Sequence, residues 1–222
     1  RSHQPDHLIS MLSTCMYPDR VADDRYPMTE SMIEDGEPPP TNAAYAAAKR
    51  SLWHGTRALH SQYDVEYSAL IPANLYGPGD HFGDQSSHFL AAAVDKIEQA
   101  NQSGDEEVKF FGTGVAMRQY VLADDLAALV EHLIESGPLN TTVNVAPQEN
   151  LSIKHLTGLV SEAAGFAGAI RFTGKGPDGQ FRKDVSTAHL RELVPVWANL
   201  ETSLGEGLEQ TIDWYRKHVA TR

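Results

Sequence analysis

Leu8-Ile9-Ser10-Met11-Leu12-Ser13-Thr14-Cys15 is the stretch on which the fold turns. Leu8 to Leu12 is short, mostly apolar and free of Gly and Pro, so it reads as a buried strand. Small polar residues follow at its carboxyl end, where open α/β sheets place ligands. Next comes a Pro- and Asp-rich loop from Tyr17 to Thr41, whose Glu37-Pro38-Pro39-Pro40 can continue neither a helix nor a central strand. Thr41 or Asn42 then caps a helix from Ala43 to about Gln62. Beyond it the pattern gives a strand from Val65 to Ile71 that ends at Pro72 and a turn-rich loop from Asn74 to Asp80. A helix from Ser87 to about Gln99 follows, then a strand over Val108–Phe111. Gly112-Thr113-Gly114 makes a turn, Arg118 to Val121 a short strand, and Asp124 caps a helix through Ile134. Val143–Val145 and Ile170–Phe172 read as strands on either side of a helix from Ser152 to about Ala164. Ser203 and Glu206 form a capping box before the last helix. Alternating strands and helices predict an α/β fold with a sheet at least partly parallel.

Composition narrows the function classes. The 222 residues carry a net charge of −12 and are 41% hydrophobic, ordinary for a globular chain. An acidic chain lacks the basic field of a nucleic-acid binder. No apolar run approaches the ~20 residues needed to cross a bilayer. The single cysteine, Cys15, excludes an internal disulfide and fits a reducing, cytoplasmic setting. No set of His, Cys and carboxylates has metal-ligand spacing, so no metal is expected.

Two groups of residues point to chemistry. Tyr45 and Lys49 lie four apart near a helix start and so share a face. An ammonium beside a phenol favours the phenolate, and such a Tyr exchanges a proton with a carbonyl or alcohol oxygen. A surface pair one turn apart fits the same spacing. Ser13 and Cys15 stand at the strand end, where Ser13 can hold the oxygen that Tyr45 protonates and Cys15 can act as a base on carbon. A buried structural thiol also fits Cys15.

These residues carry a family resemblance. Leu12-Ser13-Thr14-Cys15-Met16-Tyr17-Pro18 resembles the active-site strand of extended short-chain dehydrogenase/reductases. Tyr45-Ala46-Ala47-Ala48-Lys49 matches their catalytic helix, and Ile71-Pro72-Ala73-Asn74-Leu75-Tyr76-Gly77-Pro78 their nicotinamide loop. Within that superfamily Cys15, Asp80-His81-Phe82, Ser87-His88, Gly112-Thr113-Gly114 with Met117-Arg118, and Gly176-Pro177-Asp178-Gly179 with Arg182-Lys183 are similar to the GDP-L-fucose synthase branch. The resemblance implies a Rossmann-like parallel sheet with a smaller C-terminal α/β substrate domain. Residues 1–80, with 115–150 returning to them, would be the rest of an NADP-binding domain. Residues 81–114 and 151–202 would bind substrate, and 203–222 form a C-terminal helix.

The activity so implied is epimerisation of GDP-4-keto-6-deoxy-D-mannose at C3 and C5, then NADPH-dependent reduction at C4. Other nucleotide-sugar epimerases, dehydratases or reductases and a catalytically inactive GDP-sugar-binding fragment are the alternatives. By resemblance Tyr45 donates the proton in reduction, Lys49 tunes Tyr45 and holds the nicotinamide ribose, and Ser13 positions the keto oxygen. Cys15 and His88 are the base and acid of the epimerisations, flanking one sugar ring with Tyr45. Leu12, Ser13, Thr14, Tyr45, Lys49, Pro72, Ala73, Asn74, Leu75 and His88 would contact NADP(H). Lys96, Phe111, Arg118, Asp178 and Lys183 would contact the GDP-sugar. Phe111 stands where the family has a Trp, keeping an apolar face and losing the indole donor. A homodimer formed through the helix of Tyr45 is implied as well. The Gly-rich dinucleotide turn is not among these residues, and the chain opens on Arg1 directly before its first strand, so roughly the first third of the usual family chain is expected upstream. With a net charge of −12, local cations must recruit the anionic ligands.

Overall fold

The structure is a computed structural model that describes residues 5–83, 87–176 and 178–220. Pro177 of the Pro-Asp-Gly motif and the last two residues of the C-terminal segment lie outside the described residues. The strands are β1 (His7–Met11), β2 (Glu66–Pro72), β3 (Asn74–Tyr76), β4 (Glu107–Phe110), β5 (Met117–Arg118), β6 (Tyr120–Leu122), β7 (Thr141–Val145), β8 (Leu151–Ser152) and β9 (Ala169–Phe172). The helices are α1 (Ala43–Tyr63), α2 (Phe89–Ser103), α3 (Ala123–Ser136), α4 (Ile153–Ala163), α5 (Ala188–Leu193), α6 (Trp197–Leu200) and α7 (Leu204–His218). They divide into two compact units, one of residues 1–74, 124–148 and 183–201, the other of residues 75–123, 149–182 and 202–222.

The first unit is built on a parallel sheet in the order β1-β2-β7. Central β2 is buried from Tyr67 through Pro72, as expected of a parallel strand covered on both faces. Its buried Ser68 hydroxyl pairs with His7 Nε2 at 2.9 Å and accepts the Leu139 N–H at 3.0 Å. Pro72 lies within the strand rather than after it. The N–H of Ala73 donates to the Val145 carbonyl at 2.9 Å, so the ladder continues past the proline without needing its missing donor. Helix α1 is rich in Ala and packs a narrow stripe of Ala46, Trp53 and Thr56 on the sheet. A fully buried Ala46 lets helix and sheet approach closely.

Asn144 on β7 organises the rest of this unit. Its side chain accepts from the Tyr17 hydroxyl at 2.7 Å and donates to the carbonyls of Ser186 at 3.1 Å and Met28 at 3.4 Å. Its own N–H donates to the Glu30 carboxylate at 2.7 Å. Burial, and then the charge of Glu30, push the Tyr17 phenol far above its ordinary value, which keeps it a neutral donor. The 17–41 loop therefore has structure, including short 3-10 turns at Asp23–Arg25 and Glu30–Met32 and, where it meets α1, at Pro40–Asn42.

The second unit packs α2, α4 and α7 around the parallel pair β4–β9, with Leu90, Val94, Ile97, Val160, Leu208 and Ile212 in its core. Helix α2 starts after His88 and runs to Ser103, where Gly104 ends it in the left-handed region (φ 72°). Asn74–Tyr76, read as loop, is a short strand paired with β6. Asp124 sits inside the first turn of α3, not at its cap, because the helix leaves β6 directly at Ala123. There its carboxylate still favours the helix N-terminus. The boundaries also differ from expectation. Residues 115–123 belong to the second unit through β5–β8 and β3–β6, and residues 183–201 to the first through Asn144 and the parallel bridge of Met28 with Val185.

The 112–114 turn is latched by Asp178, whose carboxylate accepts from the Thr113 N–H at 2.6 Å and the Thr113 hydroxyl at 2.8 Å. Gly112 has φ +75°, and a Cβ there would strike that carboxylate. The Thr113 N–H, then its hydroxyl, hold the Asp178 carboxyl below its ordinary value of 3.8.

Two outcomes follow from these contacts. Asn144→Leu should cost about 3 kcal/mol in a denaturant titration, since it strands the Tyr17 hydroxyl and two carbonyls, while Tyr17→Phe should cost about 1 kcal/mol. A depressed carboxyl pKa stabilises above the unfolded value and is lost as pH falls through the folded one. The protection factor of the Thr113 amide, its exchange rate compared with that of an unprotected amide at the same pH, should therefore hold near neutral pH and fall only below 3.8, whereas Asp178→Ala should lack that protection throughout.

Candidate active site

In the first unit the chain leaves the sheet just past β1. Leu12 is buried and its N–H still pairs with the Leu70 carbonyl at 2.8 Å. Ser13 is extended (φ −161°) and its hydroxyl oxygen accepts the Cys15 N–H at 3.2 Å, capping the 3-10 turn that starts at buried Thr14. The serine keeps its own O–H to donate. Cys15 is half-buried, with Lys183 Nζ 3.3 Å and Asn42 Nδ2 3.7 Å from its Sγ.

Helix α1 lies on this turn. Lys49 Nζ donates to the Met11 carbonyl at 2.7 Å and stands 5.6 Å from the ring centre of Tyr45. Asn42, Tyr45 and Lys49 are spaced three and four apart on one face. Asn42 and Lys49 both touch the 11–15 segment, and Tyr45 lies between them on that face, 49% exposed. Of the other residues expected at the cofactor, Pro72 ends β2 and is buried, Ala73 after it is half-buried, and Asn74 and Leu75 are half-buried in β3.

Sequence reasoning missed two residues here and misplaced a third. Arg50 holds the Cys15 turn by donating to the Met16 carbonyl at 2.7 and 2.9 Å and to the Gly36 carbonyl at 2.8 Å. Asn42 was read only as a helix cap. Lys183 was grouped with Asp178 in the substrate domain, yet the structure puts it in the first unit beside Cys15, because the Met28–Val185 bridge carries the chain there.

The second unit holds the rest. His88 is exposed at the N-cap position of α2 and makes no side-chain cap bond. Lys96 on α2 donates to the Lys109 carbonyl and lies 5.2 Å from the ring centre of Phe110. Phe111 follows β4 with 81% of its surface exposed, an open ring face beside the 112–114 turn. Arg118 on β5 is half-buried and donates to the carbonyls of Met117 at 2.7 Å and Gln180 at 2.8 Å. Carbonyls satisfy a guanidinium's N–H groups without neutralising its charge. Burial lowers the Arg118 pKa, which still leaves a cation at neutral pH. Through Thr113 and Gln180 the 178–180 loop joins Phe111, Arg118 and Asp178 into one cluster.

Among the described residues there is no group of His, Cys, Asp and Glu placed to hold a metal ion, and no helix long and apolar enough to cross a membrane.

Comparison with known proteins gives the family. Residues 1–146 match the NAD dependent epimerase/dehydratase family. The chain is 32% identical over 213 residues to a GDP-L-fucose synthase of Dictyostelium discoideum, covering 93% of this chain and 65% of that protein. It is 34% identical over 220 residues to GDP-L-fucose synthase 1 of Arabidopsis thaliana, covering 99% and 66%. The crystal structure of a GDP-L-fucose synthetase from Naegleria fowleri bound to NADP superposes with a TM-score of 0.85 at 28% identity, over 98% of this chain and 68% of that one. The chain thus spans about two thirds of the length of the curated relatives it matches. On the family match over residues 1–146 and these identities along nearly its whole length, the chain belongs to the NAD dependent epimerase/dehydratase family.

Proposed function

We propose that the protein is a GDP-L-fucose synthase: it inverts C3 and C5 of GDP-4-keto-6-deoxy-D-mannose and then reduces the C4 ketone with NADPH to give GDP-L-fucose. The observation that carries this reading is the thiol. A simple reductase needs the Ser13–Tyr45–Lys49 group, but it has no use for a half-buried Cys15 with an ammonium 3.3 Å from its sulfur. Identities of 32 and 34% to the named relatives support the same reading.

Carbons next to a ketone are acidified because the enolate is stabilised. Inverting one needs a proton removed from one face and returned to the other. Cys15 is the proposed base and His88 the proposed acid. In removal the C–H bond breaks, S–H forms, and the electron pair passes to the ketone oxygen. Lys183 is placed to stabilise the charge that the sulfur carries before the proton arrives. In the reductive half Ser13 orients the ketone by its free O–H, and Tyr45 delivers the proton to O4. The donor set fits a nicotinamide ribose: Lys49 spends one N–H on Met11 and keeps two. When bound, the reduced nicotinamide supplies hydride to C4. On the second unit Phe111 offers a ring face to a planar base, and Arg118 and Lys96 offer charge to a diphosphate. Leu52, Leu59 and Tyr63, exposed along α1, support pairing of two chains through that helix.

The assay uses the full-length protein with the keto-sugar and NADPH. Tyr45→Phe should slow NADPH consumption about 10²- to 10⁴-fold while deuterium from solvent still enters C3 and C5. Cys15→Ser should suppress that deuterium entry. No NADPH consumption by the wild-type protein would reject the reductase assignment, and normal deuterium entry in Cys15→Ser would reject the role of Cys15.

A further inference from the structure

We propose that Asn42 is a positioning residue for Cys15, its side-chain amide donating to the sulfur instead of capping helix α1. The inference deepens the reading of Cys15 as the epimerisation base and rests on it. Asn is among the strongest N-cap residues, because its side-chain oxygen accepts one of the free N–H groups of the first turn. Asn42 occupies the N-cap position of α1 (φ −120°, ψ 12°), yet it makes no side-chain cap bond. Its Nδ2 lies instead 3.7 Å from Cys15 Sγ, within range for the large sulfur atom.

The helix start does not depend on that side chain. The 3-10 turn Pro40–Asn42 runs straight into α1, with the Asn42 N–H on the Pro39 carbonyl at 2.9 Å and the Ala43 N–H on the Pro40 carbonyl. Backbone bonds guide the entry, and the amide is free for another task. The sulfur then has two donors from separate elements, the Lys183 ammonium at 3.3 Å and the Asn42 amide at 3.7 Å. Lys183 supplies full charge on a flexible stem, whereas the amide is fixed to the helix that carries Tyr45. Together they hold the sulfur in one orientation beside the helix that carries Tyr45.

Two variants separate this role from capping. Asp is as good an N-cap as Asn, but it offers the sulfur a negative charge rather than a donor. In the full chain, alkylation of Cys15 by iodoacetamide is followed across pH on the peptide that carries it, with Tm measured alongside. Asn42→Ala should slow alkylation near neutral pH about three- to tenfold. Asn42→Asp should slow it further, with a Tm at or above that of Asn42→Ala. A capping role predicts the reverse: Asn42→Asp indistinguishable from wild type and only the Tm of Asn42→Ala lowered. An unchanged alkylation profile in Asn42→Asp overturns the proposal. Deuterium entry at C3 and C5 is read on the same variants. If the alkylation profile moves and deuterium entry does not, the Asn42–Cys15 link stands and the role of Cys15 as base falls.

Discussion

The bond from the Lys49 ammonium to the Met11 carbonyl, 2.7 Å long, ties the first strand to the first helix at the point where the chemistry is placed. A parallel strand leaves its last carbonyls without ladder partners where the chain departs, and here a cation from the neighbouring helix takes one of them. The bond fixes α1 along its axis relative to β1. A residue rises about 1.5 Å in a helix, so a slip of a single residue would shift Tyr45 that far along the strand end. Proton transfer tolerates errors of well under that distance. The ladder bond from Leu12 to Leu70 and the three Arg50 bonds to Met16 and Gly36 then hold the turn that presents Cys15.

Charge in this chain works locally. A net charge of −12 repels anions at long range, but ordinary salt screens exposed charges beyond about 8 Å. What a bound anion meets is the cations at hand, and Lys49, Lys183 and Arg118 share one arrangement. Each is half-buried and is held by a carbonyl oxygen or a sulfur. A carbonyl partner fixes Lys49 or Arg118 in space and leaves its charge uncompensated, in contrast to the carboxylate of Glu98 that pairs Arg216 on the second unit. Burial without a counter-ion is costly, and it is met in functional sites more often than in scaffolds.

The sequence was most legible where local physics alone decides. The α1 helix, the run buried through β2 and the Ser203–Glu206 box follow from periodicity and capping chemistry, and their limits came within a residue or two. Errors arose where distant partners decide. Pro72 reads as a strand terminator, yet the next residue donates the bond that matters. Asp124 reads as a cap, yet β6 runs into the helix without a linker. The 17–41 stretch reads as loop, and its order comes from Asn144, more than 100 residues away in sequence. Tyr45, Lys49, Ser13 and Cys15 stand out in the sequence because a short motif carries them. Arg50 and Asn42 were not, since an Arg on an Ala-rich helix and an Asn before it are ordinary in sequence, and only the turn at Cys15 gives them a task.

That loop bears directly on the thiol. Met28 forms a parallel bridge with Val185, donates its N–H to the Asp184 carbonyl at 3.0 Å and accepts the Ser186 N–H at 2.8 Å. Asn144 then clamps both chains by the carbonyls of Met28 and Ser186. Lys183 immediately precedes this bridge, so its reach to the sulfur is set by a strand-like contact that neither segment could form alone. A lysine side chain is flexible, and a cation on an untethered loop would spend little time against one sulfur atom. Anchoring the backbone one residue beyond it removes most of that freedom before the ammonium is placed. The irregular 17–41 segment is therefore part of the apparatus that keeps a cation beside Cys15, and its unremarkable sequence follows from that task, which needs backbone atoms from Met28 rather than a particular side chain.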